Sequence, residues 1–159
     1  LGLTDLAALV EPTALARFAR GSALGYPLAS LAHLLGLVIG LGGILLLDLR
    51  LAGAFRALPL AAALRTLLPV AWVGLGLLVL SGAMLFSADA RALATNPAFR
   101  WKLVLIGLAL ANGALFHAVG HPGRWRDDCE VPSTARALAL VSIGLWLAVA
   151  TCGRFIAYV

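Results

Sequence analysis

Four apolar stretches, residues 27–47, 69–88, 98–119 and 137–151, fill most of this 159-residue chain. Each, with its flanking residues, reaches the ~20 needed to cross ~30 Å of hydrocarbon. Only 12% of the residues are charged and 62% are hydrophobic, against about 25% charged in an ordinary soluble domain. Water cannot solvate so much apolar helix surface, so lipid is the expected solvent. Transmembrane β-strands would read as segments of ~10 residues with alternating polarity. Here Leu, Ala and Gly run without alternation, which predicts an all-α integral membrane fold.

The expected architecture is a single membrane domain over residues 1–159, a bundle of four transmembrane helices. Its spans fall at about 27–49, 69–88, 97–119 and 133–157, after an N-terminal amphipathic helix at 3–24 lying in the interface. Thr4 and Thr13 are candidate helix starts, because a hydroxyl can accept from the free N–H groups of a first turn. Leu15, Phe18 and Leu24 alternate with Arg17 and Arg20 at helical spacing, as in a helix that rests on a membrane surface. Asn96-Pro97 reads as a cap followed by a first-turn proline. The Ala- and Leu-rich segment before Pro69 reads as an early extension of the second helix, kinked at that proline. No signal-peptide pattern is read at the start.

Four spans put both termini on one face of the membrane, side A, and the first and third loops on side B. Side B carries Arg50, Arg56, Arg65, Arg124, Arg126 and Arg136; side A carries Arg17, Arg20, Arg91, Arg100, Lys102 and Arg154. The positive-inside rule therefore gives no orientation. The net charge of +5 resides in these short loops and helix ends, where it meets lipid headgroups. No nucleic-acid-binding pattern accompanies it, and the expected partners are the bilayer and other membrane protein subunits. Cys129 and Cys152 are separated by roughly twenty helical residues, ~30 Å, too far for a disulfide.

Ionisable groups inside spans are costly and are functional candidates by default. His33 lies in the first span, and Gly36, Gly40 and Gly43 follow it at spacings of three, four and three. This places all four residues on one helix face. Small residues at that spacing admit a neighbouring helix or a flat ligand, so His33 faces the bundle interior. It reads either as a haem, metal, proton or quinone contact or as a packed, hydrogen-bonded histidine. Lys102 and Arg154 lie on the same side and could hold an anionic group such as a haem propionate, or serve as snorkelling anchors. At the other side His117 and His121 have the i, i+4 spacing of metal ligands, and they read equally as part of a mixed-charge interfacial loop. Half a span apart from each end, His33 and His117 are separated by ~18 Å along the membrane normal. They cannot share one iron. Met84 is the one thioether in the chain and the available second ligand for a haem at His33. Asn112 reads as helix-to-helix glue, Asp48 and Arg50 as an interfacial charge pair, and Gly74-x-Gly76 as packing. No phosphate loop, nucleophile–base arrangement or Cys-x-x-Cys is present, so nothing supports a hydrolytic or nucleotide-dependent enzyme.

Several segments resemble a family of small bacterial four-helix membrane proteins of unassigned function, DUF6644. They are Tyr26-Pro27 with His33 and Gly36, Asp48-Leu49-Arg50-Leu51, Pro69 with Trp72 and Gly74, Asn96-Pro97-Ala98-Phe99 with Lys102, Asn112 with His117, and Gly153-Arg154 with Ile156-Ala157-Tyr158. The resemblance implies a multi-pass protein of the bacterial cytoplasmic membrane and implies no activity. The expected function is an accessory or anchor subunit docking to a larger, redox-type membrane complex, without catalytic activity of its own. The alternatives are a b-type haem- or metal-binding electron-transfer protein using His33, and a small-solute or copper transporter.

Overall fold

The computed structural model describes residues 2–120 and 131–158. Eight α-helices form among them: α1 (Leu3–Val10), α2 (Ala14–Gly21), α3 (Gly25–Gly36), α4 (Gly42–Ala52), α5 (Leu60–Ala88), α6 (Ala90–Thr95), α7 (Pro97–Gly120) and α8 (Ser133–Phe155). A π-helical turn, Leu37–Leu41, joins α3 to α4, so that Gly25–Ala52 is one long rod. Four helices, Gly25–Ala52, Leu60–Ala88, Pro97–Val119 and Ser133–Phe155, are long and apolar enough to cross a membrane. The all-α bundle expected from the apolar pattern is what forms.

The expected helix at 3–24 is instead two short helices. Pro12 has no N–H to continue the first, which ends with Glu11 still in helical geometry and its amide donating to the Ala7 carbonyl. Thr13 then starts the second, its hydroxyl oxygen accepting from the Ala16 amide at 3.2 Å. At the first helix the cap is Gly2, whose amide donates to Asp5 Oδ2 at 2.8 Å. Both helices lie at side A, α1 against α6 and α2 against the end of α5. Ala7, Ala90 and Ala94 are packed together there. Arg20 donates to the Glu11 carbonyl at 2.8 Å and to the Ser87 carbonyl at 3.4 Å, and Arg91 pairs with Glu11 at 2.6 Å.

The first span runs on to Ala52 and stops at Gly53, whose φ of 109° suits a residue without Cβ. The amide of Gly53 donates to Arg50 and that of Ala54 to Leu49, the paired bonds that close a helix C-terminus. The second span begins at Leu60, directly after Pro59, and passes through Pro69. The third begins at Pro97 as expected, with Asn96 Oδ1 accepting from the Phe99 amide at 3.0 Å. Asn96 Nδ2 also donates to the Ile156 carbonyl at 3.2 Å, tying the start of α7 to the end of α8.

The spans pair as hairpins, α3–α4 against α5 and α7 against α8, with α4 also packed on α8. In lipid no hydrophobic force draws apolar helices together, so close packing and hydrogen bonds must do so. Gly36, Gly40 and Gly43 meet Leu78, Gly74 and Ala71 respectively. These two series descend the facing helices at matched spacing and bring backbone onto backbone at Gly40 and Gly74. At side B, Leu47, Leu51, Leu60, Leu64, Phe116 and Ala139 close the core that unites the hairpins. Outward residues such as Val38 and Leu80, each 73% exposed, are free to meet lipid.

Candidate functional site

Two polar groups lie inside the spanning region. The first is at side A. His33 Nδ1 is 3.0 Å from Ser81 Oγ on α5, and the ring rests on Gly82. The Ser81 hydroxyl donates to the Leu77 carbonyl at 2.6 Å. A hydroxyl has one proton; when Ser81 gives it to the Leu77 carbonyl, Ser81 accepts from His33, and in that tautomer the ring carries its proton on Nδ1 and keeps a lone pair on Nε2.

Lys102 is the cation whose field reaches His33. Its Nζ lies against Gly153 on α8, next to the free thiol Cys152. Residues from all four spans thus lie at this end: His33 on Ser81, and Lys102 against Gly153 beside Cys152. Arg154 turns elsewhere. Its guanidinium donates to the Tyr158 hydroxyl at 2.5 Å and lies 4.8 Å from the centre of that ring, a cation–π contact within one helix.

The second group surrounds a cavity of about 280 Å3 near side B, lined by all four spans. Asp48 borders it from α4, Trp72 from α5, Asn112 and His117 from α7, and Ser142 and Trp146 from α8. Asp48 is 8% exposed, with Ser142 of α8 beside its carboxyl. Its Oδ2 is buried without a hydrogen-bond partner among the described residues. Asn112 Nδ2 donates to the Leu138 carbonyl at 3.0 Å, the helix-to-helix bond expected of it. The His117 ring stands edge-on to Phe116, centroids 5.8 Å apart.

The expected Asp48–Arg50 pair does not form. Residues at i and i+2 do not face each other on a helix. Arg50 Nε donates to the Leu58 carbonyl at 2.6 Å in the loop, while Asp48 turns inward. His121, the expected companion of His117, and Cys129 lie outside the described residues. Among the described residues no group of three or more His, Cys, Asp or Glu side chains is placed to hold a metal ion.

Ser81, Ser142 and Trp146 escaped the sequence reading. Their signal was present, since each is an isolated hydrogen-bonding residue within an apolar span. No protein-family model, curated protein or solved structure matches the chain.

Proposed function

We propose that this chain is a non-catalytic membrane subunit that docks to another membrane protein within the bilayer. The observation that carries this reading concerns glycines the fold does not use. Gly76, Gly107 and Gly144 are exposed, and a Cβ at any of them would meet nothing within 4 Å. Glycine weakens a helix by ~1 kcal/mol relative to Ala, and in spans it is the residue that lets a second helix approach closely. On the resemblance described above, the setting is the bacterial cytoplasmic membrane, and a redox assembly is the partner class we favour. The test is native electrophoresis of the tagged chain extracted in mild detergent. Wild type is expected to migrate within a larger assembly, and Gly107→Leu or Gly144→Leu to release it with its melting temperature unchanged. A wild-type chain that runs alone overturns the proposal.

A second reading, a b-type haem or metal bound through His33, draws support from the Ser81 bond. A metal-binding imidazole characteristically donates its other N–H to a fixed acceptor, and Nε2 is the nitrogen left over here. Met84 on α5 would be the second ligand to a haem iron. A visible spectrum recorded before and after dithionite tests it. A Soret band abolished in His33→Ala supports haem, and a colourless, metal-free wild-type protein sinks both versions.

A further inference from the structure

We propose that the side-B cavity is a binding site for a small lipophilic ammonium ion, with its N–H groups on the carboxyl of Asp48. The cavity is walled mainly by aliphatic side chains and by Trp72 and Trp146, which suits an apolar guest. Among its polar groups, Asn112 donates one amide N–H to the Leu138 carbonyl, and Ser142 stands beside Asp48. The buried side-chain polar atom left without a hydrogen-bond partner among the described residues is an acceptor, the Oδ2 of Asp48.

A carboxyl group buried in an apolar span is costly unless a donor or a counter-charge meets it. The protein supplies no such charge among the described residues. Their one side-chain ion pair joins Glu11 to Arg91 at side A, and Arg50 is turned to the Leu58 carbonyl. A guest that brings N–H donors and a positive charge would fill this gap. Its carbon body would lie among the aliphatic walls, and the two indoles would add cation–π attraction for the ammonium. A neutral guest would satisfy the volume and leave the carboxyl without a counter-charge. An anionic guest would be repelled by it.

The probe is 2-phenylethylamine, protonated at neutral pH, and its neutral counterpart is 2-phenylethanol. Both are titrated calorimetrically into the purified full chain in maltoside detergent. Saturable binding of the amine is expected, with the alcohol at least tenfold weaker. Asp48→Asn keeps the shape and removes the charge, and is expected to weaken the amine at least tenfold. Gly113→Leu serves as the second variant, because Gly113 lines the cavity and has open space where its Cβ would lie. It keeps the carboxyl, fills the cavity and is expected to abolish binding, which decides the matter should Asp48→Asn fail to fold. No saturable binding of the amine, equal affinity for the alcohol, or undiminished binding in either folded variant overturns the proposal.

Discussion

His33 and Ser81 join the first and second spans through a 3.0 Å hydrogen bond between the imidazole Nδ1 and the serine hydroxyl. Removing the acceptor should tell more than removing the ring. Ser81→Ala leaves a half-buried N–H with nothing to meet, and hydrogen bonds between spans are worth ~0.6 kcal/mol on average and ~1.7 at most. A melting temperature lower by a few degrees is the expected result, together with loss of the single Nδ1-H tautomer in 15N NMR of labelled histidine. An unchanged tautomer would show that Ser81 does not hold the ring.

Gly74 and Gly76 provide a matched comparison on one helix. A Cβ on Gly74 would collide with the Gly40 backbone, whereas one on Gly76 would meet nothing within 4 Å. Gly74→Ala must therefore push the first two spans apart, at the ~1–3 kcal/mol typical of overpacking or more. Gly76→Ala should leave stability intact. Thermal unfolding of the two variants side by side checks this, and equal melting temperatures would refute the close crossing.

The coupling between Asp48 and Ser142 is measurable by a double-mutant cycle. Ser142→Ala takes the neighbouring hydroxyl from a carboxyl whose Oδ2 already has no partner among the described residues, and a buried group left unsatisfied costs ~1–3 kcal/mol. In an Asp48→Ala background the same substitution has nothing to strand and should cost little. Directly interacting residues show coupling of ~0.5–3 kcal/mol. Additive effects in reversible unfolding would mean the two side chains do not act on each other.

The N-terminal helices should owe their docking to shape more than to charge. Arg91 is 73% exposed in its pair with Glu11, and such surface pairs are worth ~0–1 kcal/mol. Ala7 and Ala94 are wholly buried. Glu11→Gln is expected to leave trypsin cleavage at Arg17 and Arg20 as slow as in wild type, while Ala94→Leu should speed it by displacing α1. The opposite order would make the ion pair the anchor.

The spans were legible because lipid imposes a length and a polarity that few residues can counterfeit. The glycine face of the first helix was legible for a related reason, since Gly36, Gly40 and Gly43 share one side of a rod, a spacing that admits a close neighbour. Asp48 was misread because spacing along one helix cannot reveal what a neighbouring helix brings. Its neighbour Ser142 is 94 positions away in the chain, whereas Arg50, with only Leu49 between, looked like the match. The π turn left no mark either, as Leu37–Leu41 is an ordinary apolar sequence whose hydrogen bonds are decided by the fit of Gly40 onto Gly74.

That turn gives the first span a particular tolerance. A π turn is an α-helix that has absorbed one residue too many while the flanking segments keep their phase. Deleting lipid-facing Val38 would let the ladder close as a plain α-helix, and both ends of the rod would keep their heading. His33 would still find Ser81, and Asp48 would still find Ser142. Deleting a residue at Leu34 or Leu46 instead would swing one end by about 100° and separate one of these couples. Of all the places in this rod where the chain could be one residue shorter, the lipid-facing side of this turn, away from Gly40, is where the molecule would not notice.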